Sequence, residues 1–314
     1  MIKTKYIYFY NYDVNESDLC KLESKHLFDQ EVKNKLLFSD IIINPSCSAF
    51  IKKRLDVLAS DSQYSVLINK IKKLNICDEG FKAEYTFLER DSTGYRESLK
   101  ILKDIGYCIE GNPDYYKPNI IYTICFYNNC WYFGILIKNN FDWHKHKQKP
   151  FSYSSSINIT IAKSLVNIDA EGNKDTQLLD ACCGVGTIML EACFSGYTIE
   201  GCDINWKLCH QARKNLSHFN YKASVLVSDI KDIRKCYDTA IIDLPYNLFS
   251  HADENLVFHI IKSTAKVTNR LVVVSTIDIS EHINNSGLQV TDFCVVQKGR
   301  KTNFSRKIWL CEKK

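Results

Sequence analysis

The chain predicts an α/β protein in which a doubly wound, mainly parallel sheet fills the second half and a mixed α+β region precedes it. Three observations carry this. From about Thr176 onward, short apolar runs alternate with longer amphipathic stretches, the pattern of strands joined by covering helices. The first of those runs enters a glycine turn, Gly184-Val185-Gly186, as open α/β sheets do where they approach a ligand. Ahead of them, the passage from Trp143 to Ser156 is rich in charge, Pro150 and serines, which marks a boundary between two domains, 1–148 and 149–314.

In order, the second half predicts strands at Gln177–Ala181, Thr198–Cys202, Ser224–Val227, Thr239–Asp243, Arg270–Ser275, Leu288–Val296 and Lys307–Cys311. Helices at Thr187–Phe194, Trp206–Phe219 and Leu256–Ala265 have apolar positions recurring at three- and four-residue spacing. The last two strands follow one another with no helix between them, so they predict an antiparallel hairpin at the sheet edge. The first half opens with a strand at Tyr6-Ile-Tyr-Phe-Tyr and a helix over Glu16–Phe28, and Ile120–Ile137 reads as two strands turning at Asn128-Asn129.

Composition bounds the class. With 314 residues, 45% of them hydrophobic, the chain can bury a large core. No apolar run reaches the ~18 residues of a membrane span, and the apolar start is broken at Asn11 and Asp13, so neither a span nor a signal peptide is expected and the expected location is the cytoplasm. The fourteen cysteines lie scattered in apolar runs without Cys-x-x-Cys spacing, which predicts reduced core thiols and no metal. The net charge of +5 divides evenly, 22 Lys+Arg against 19 Asp+Glu in residues 1–150, so bulk charge says little about nucleic acid. Two local clusters mix cations with aromatics, Trp143–Lys149 and Gly299–Lys307; either one alone reads as a solvated loop.

The chemistry lies at the strand ends. Asp180 ends the strand before the glycine turn, and Met189 stands where a dinucleotide fingerprint has its third glycine, which disfavours a phosphate cradle. Asp203 ends the next strand about 20 residues beyond the turn, where an acid holds a ribose diol. Asp229 follows the strand after that, fit to accept from an adenine amino group. Each acid taken singly is a helix cap or turn residue; on successive strand ends they share one carboxyl edge. The fourth strand runs into Asp243-Leu244-Pro245-Tyr246-Asn247.

This order of acids and the Asp-x-Pro-Tyr motif resemble the class I S-adenosylmethionine-dependent methyltransferases that act on an exocyclic amine. The resemblance spans roughly residues 150–314 and implies a Rossmann-like domain with a mainly parallel seven-stranded sheet. It implies cofactor-binding roles for Phe151, Ser154, Asp180, Cys182, Gly184, Gly186, Thr187, Asp203, Ile204, Asp229, Ile230 and Asp243, with S-adenosylmethionine as the cofactor. Asp243 and the Leu244 carbonyl would hold the amine, Pro245 would fix the turn, and Tyr246 would stack on the flipped base. Leu244 departs from the family's usual proline, and a proline there is expected to be tolerated. Ala181 and Cys182 likewise replace the Pro-Phe often found after the loop acid.

Within that family the layout looks like the THUMP-linked tRNA guanine-N2 methyltransferases. Gly111-Asn-Pro-Asp114, Lys117–Tyr127 and Trp131–Gly134 are similar to the close of a THUMP domain, an RNA-binding module, and Tyr153–Ser156 leads into a helix before the glycine turn. The resemblance therefore implies an N-terminal RNA-binding α+β domain and guanine N2 of tRNA as the methylated site. Alternatives are an rRNA guanine-N2 or an adenine-N6 enzyme acting on DNA or RNA, a noncatalytic RNA-binding protein that keeps the fold, and a small-molecule methyltransferase.

Overall fold

The computed structural model describes residues 5–89, 91–152, 156–245, 251–297 and 304–314. Two compact units emerge: 1–11 with 33–45 and 51–140, and 12–32 with 46–50 and 141–314. The helix at the front of the chain thus belongs to the second unit, although the sequence boundary at 148/149 set it in the first.

In chain order the front of the protein contains Tyr6–Tyr10 (β1), Ser17–Phe28 (α1), Leu36–Ser39 (β2), Ile51–Asp61 (β3), Tyr64–Lys73 (α2), Ile76–Cys77 (β4), Phe81–Tyr85 (β5), Tyr95–Gly106 (α3), Ile109–Glu110 (β6), Ile120–Tyr127 (β7) and Cys130–Lys138 (β8). The first unit is a six-stranded sheet in the order β2-β1-β3-β8-β7-β5, antiparallel throughout except where β5 runs parallel to β7. Leu67 and Ile71 of α2 and Ile101 and Ile105 of α3 pack with Phe81, Ile124 and Phe133 of the sheet. The β7–β8 hairpin turns at Asn128 and Asn129, both at positive φ, a conformation asparagine adopts more readily than most residues.

The second unit contains Ile159–Ala170 (α4), Gln177–Asp180 (β9), Thr187–Phe194 (α5), Thr198–Asp203 (β10), Trp206–His218 (α6), Ser224–Val227 (β11), Thr239–Asp243 (β12), His251–Val267 (α7), Arg270–Ser275 (β13), Ser280–Asn285 (α8), Leu288–Gln297 (β14) and Ser305–Lys313 (β15). Its seven-stranded sheet has the order β11-β10-β9-β12-β13-β15-β14. The first five strands are parallel, and β15 inserts antiparallel beside β13 with β14 outside it. Strand order reverses between β9 and β12, so the carboxyl ends of these neighbours diverge into a crevice.

Two features of this unit differ from the sequence reading. The segment after Phe141 is a 3-10 helix, Asp142–Gln148, with Trp143 and His146 buried, so its aromatic and imidazole rings anchor what reads as a solvated loop. The short α8, with Ile283 as its single buried residue, was not predicted. The cysteines are all unpaired; Cys20, Cys125, Cys202, Cys294 and Cys311 are among the buried ones, while Cys77 and Cys236 are exposed and so are not the core thiols the sequence predicts.

Candidate functional site

The glycine turn is built by hydrogen bonds that tie it to the neighbouring strands. The Ala181 N–H donates to Ile241 O (3.0 Å) and the Cys183 N–H to Cys202 O (3.0 Å), after which Gly186 closes onto Cys183 O at 2.7 Å. Gly186 takes φ +79°, and a Cβ there would also lie 3.2 Å from the Cβ of Ala212 on α6, so glycine lets α5 and α6 approach. Met189, at the place of the missing third glycine, is accommodated by Gly201 of β10: a Cβ at 201 would sit 2.4 Å from the Met189 sulfur. A buried Asn215 on α6 then holds the entrance, donating to Val185 O and Phe151 O (both 2.9 Å) and accepting from the Phe151 N–H (2.9 Å).

Above this turn lies a cavity of about 310 Å³. Of the residues expected to bind cofactor or substrate, Cys182, Thr187, Asp203, Ile204, Asp243, Leu244 and Pro245 line it. Asp180, Gly184, Gly186, Asp229, Ile230 and Phe151 stand outside its described lining. Ser154 and Tyr246 lie outside the described residues. Ser156, Ile157, Cys183, Val185, Ile188 and Leu208 also line the cavity; sequence reasoning missed the apolar ones because a residue facing a cavity has the same helical or strand spacing as one facing the core.

The three acids on adjacent strand ends are not equivalent. Asp203 bridges β10 to the turn, accepting from the Gly184 N–H at 3.0 Å and from the Asn205 N–H at 2.8 Å. Asp180, only 1% exposed, has no hydrogen-bond partner for either oxygen among the described residues. Its carboxyl is pushed well above the ordinary range, first by burial and then by the charges of Asp243 and Asp203; the neighbouring Cys182 backbone N–H opposes this but lies outside normal hydrogen-bond geometry to either oxygen. Asp229 instead caps the 3-10 turn Ile230–Asp232, accepting from the Lys231 N–H at 3.0 Å while its other oxygen pairs with the Lys231 ammonium at 3.1 Å. Its pKa is lowered, first by that backbone bond.

Leu244 has a physical reason to stand where the resembling family has proline. It is 2% exposed and packs with Ala181, Ile242 and Val257, and its N–H donates to Val274 O at 3.0 Å. Proline at 244 would remove both that hydrogen bond and the side chain in the core, which argues against the expectation that it is tolerated.

Among the described residues that line the cavity none is cationic, while Asp203 and Asp243 are acids. Such a lining repels phosphate and favours a positively charged ligand. The Thr187 hydroxyl, like Asp180, is buried without a hydrogen-bond partner among the described residues. Buried polar groups are normally satisfied, so two orphans at the foot of one crevice mark a place for a ligand that brings donors.

Comparisons with known proteins fall on this same region. Residues 146–274 match a family model described as RMKL-like, methyltransferase domain, a span that includes β9 to β12 and all but the last residue of β13. Over 118 residues the chain is 31% identical to the tRNA (guanine(10)-N2)-dimethyltransferase of Methanothermobacter thermautotrophicus, covering 37% of this chain and 35% of that protein. Over 138 residues it is 25% identical to the protein of the same name from Methanocaldococcus jannaschii, covering 41% and 39%. The chain thus spans little more than a third of the length of these curated relatives. Among solved structures, TrmN from Thermus thermophilus aligns over 98% of this chain and 99% of that chain, at 12% identity and a TM-score of 0.49.

Proposed function

We propose that this chain is an S-adenosylmethionine-dependent RNA methyltransferase acting on the exocyclic amine of a base, guanine N2 of tRNA in the first place. The observation that carries the reading is the acid-lined cavity, with no cation among its described lining residues, and the buried Asp180 carboxyl that has no hydrogen-bond partner among the described residues. S-adenosylmethionine, when bound, supplies an electrophilic methyl group on a positive sulfur. Asp203 would accept from its ribose hydroxyls, Asp180 and Thr187 would meet its donors, and Ile204 and Ile188 would contact its apolar atoms. Asp229 would reach the adenine amine only in competition with Lys231, which makes it the weakest of the expected contacts. The curated relatives, by their names, methylate guanine N2 in tRNA, and this supports the choice of base and RNA.

Asp243 is the residue on which transfer depends. An exocyclic amine shares its lone pair with the base ring and is a poor nucleophile. A carboxylate accepting one N–H bond and the Leu244 carbonyl accepting the other would hold the nitrogen in line and localise that pair. As the N–C bond formed and the methyl–sulfur bond broke, releasing a neutral thioether, the amine proton would leave along its hydrogen bond to Asp243. Tyr246 follows as the expected stacking face for the base. Because Leu244 is explained by its packing and its bond to Val274, its departure from proline gives no support to a noncatalytic reading. The first unit (1–11, 33–45 and 51–140), THUMP-like by its closing motifs, would capture the RNA.

The test is incubation of the purified protein with labelled S-adenosylmethionine and total RNA, followed by nucleoside analysis of each RNA class. Label should appear as N2-methylated guanosine in the tRNA fraction. Asp243→Ala should reduce single-turnover transfer by at least about 100-fold, the scale of a lost group that orients and stabilises the reacting atoms, with a much smaller change in cofactor affinity. Transfer by Asp243→Ala at the parent rate would refute the mechanism.

A further inference from the structure

A second cavity, of about 510 Å³, opens in the same unit. It meets the cofactor cavity at Ser156, which lines both. Its place in the fold is the same carboxyl edge: β14 ends and β15 begins there, with Arg306 paired to Val296 and its neighbour Lys307 paired to Ser275, the last residue of β13. The two basic clusters that stand out in the sequence, otherwise far apart in the chain, each send one cation to this cavity, Lys147 from the 3-10 helix and Arg306 from β15. Arg306 is 6% exposed and its guanidinium lies over the Phe304 ring, 5.0 Å from the centroid. Asp13 and Glu16 complete the charged lining.

We propose that this cavity binds a nucleotide of the substrate RNA adjoining the one that is methylated, an inference that rests on the RNA-methyltransferase reading of the neighbouring site. The volume lies within the range of roughly 300–1,000 Å³ typical of pockets for whole small molecules. Two cations without acids would read as a bare phosphate trap; two cations with two carboxylates match a nucleotide, whose phosphate is anionic and whose base edge carries N–H donors. The reacting base itself belongs beside Asp243, which lines the first cavity and not this one. The connection through Ser156 therefore suits consecutive positions of one strand, with the target base in the first cavity and its neighbour held in the second.

The experiment uses the full chain, in vitro transcribed tRNA and purified S-adenosylmethionine. Lys147 is exposed, so Lys147→Glu should fold. Lys214→Glu on α6, an exposed residue outside both cavities, is the control with the same change of charge. Lys147→Glu should weaken tRNA binding about tenfold more than the control and flatten the dependence of log K on log salt by a slope of about 0.7–0.9, one phosphate contact. Cofactor affinity should match the parent. Arg306→Lys, which keeps the charge and loses the fork, should weaken tRNA binding a few-fold. Equal tRNA affinities for Lys147→Glu and Lys214→Glu, in a protein that binds cofactor and methylates RNA, would overturn the cavity's role and leave the enzyme reading intact. Cavity-dependent RNA binding by a parent protein that takes up no cofactor would do the reverse.

Discussion

Two carboxylates flank α5, both withdrawn from solvent and opposite in how their oxygens are satisfied. Glu191, on the helix, has Oε1 2.7 Å from Nδ1 of His146 and Oε2 3.4 Å from Nζ of Lys163. The cluster continues outward: His146 Nε2 lies 3.0 Å from the Tyr221 hydroxyl, and the Lys163 ammonium stands 4.3 Å from the Phe194 ring centroid. Asp180, at the strand end before the same helix, is equally buried and has no hydrogen-bond partner among the described residues. A buried ion is tolerated when its lone pairs and protons are occupied. Glu191 meets that condition and fastens α4, α5 and the 3-10 helix at Asp142–Gln148 together. Asp180 does not, which is the property that the proposed cofactor-binding role asks of it. Burial alone therefore does not separate a structural acid from a functional one; the inventory of partners does.

The contrast can be broken most severely at the saturated end. Lys163→Met leaves Glu191 with one partner fewer in a dry environment, where loss of one member of a buried pair costs roughly 3–5 kcal/mol. Burial lowers the Lys163 pKa and so disfavours its charge, and the nearby Glu191 carboxylate opposes that loss. Urea unfolding should report a loss of that size, and the double substitution Lys163→Met with Glu191→Leu should recover much of it. If Lys163→Met were as stable as the parent, the cluster would not be the fastening described here.

At the orphaned end the sign reverses. Asp180 has a folded-state pKa raised above the ordinary 3.8, so the folded protein holds its proton more tightly than the unfolded chain. The stability this gives is full below the ordinary carboxylate value and is lost as pH rises through the window above it. Asp180→Asn abolishes the titration, so the variant should gain on the parent as pH rises from about 4 toward neutrality, by roughly 1 kcal/mol. Cofactor affinity should fall in the same variant. Thermal unfolding at several pH values reads the first effect and calorimetric titration the second; a variant less stable than the parent at neutral pH would mean that Asp180 is satisfied after all.

Much of this was legible in the sequence, for reasons that also explain what was not. Strands β12 and β13 are buried along nearly their whole length and read as apolar runs at Ala240–Ile242 and Leu271–Val274, and Asp180 and Asp243 end β9 and β12 where the chain leaves the sheet. Lys52, Lys53 and Arg54 hide strand β3 in the sequence; Arg54 is buried by pairing with Asp56 on the same strand face (2.5 Å) and by donating to Ile43 O (2.8 Å), a tertiary contact that no periodicity announces. The 3-10 helix after Phe141 was hidden for the same reason, since His146 is buried only because Glu191 and Tyr221 come to it from distant segments. Local pattern shows which residues are apolar. It does not show which polar residues will find partners, and the site depends on that second property.

Asp229 is the case in which the two kinds of acid nearly meet, and it gives the smallest expected effect. Its sequence position is that of an adenine acceptor, yet its carboxylate is engaged by the backbone and the ammonium of Lys231 and lies partly in solvent. A ligand amine must displace or share those bonds, so the net gain is a fraction of an ordinary hydrogen bond, about 0.5–1 kcal/mol. Asp229→Ala should therefore raise the S-adenosylmethionine Kd about two- to fivefold. Loss of the cap on the short 3-10 turn should cost a similar amount of stability. Lys231→Ala sharpens the comparison: it removes the competing ammonium, keeps the backbone N–H, and should leave cofactor affinity equal or slightly tighter. Should Asp229→Ala instead raise the Kd by far more than tenfold, a partnered acid would be contributing as much as an orphaned one, and partner inventory would fail as the criterion that separates them.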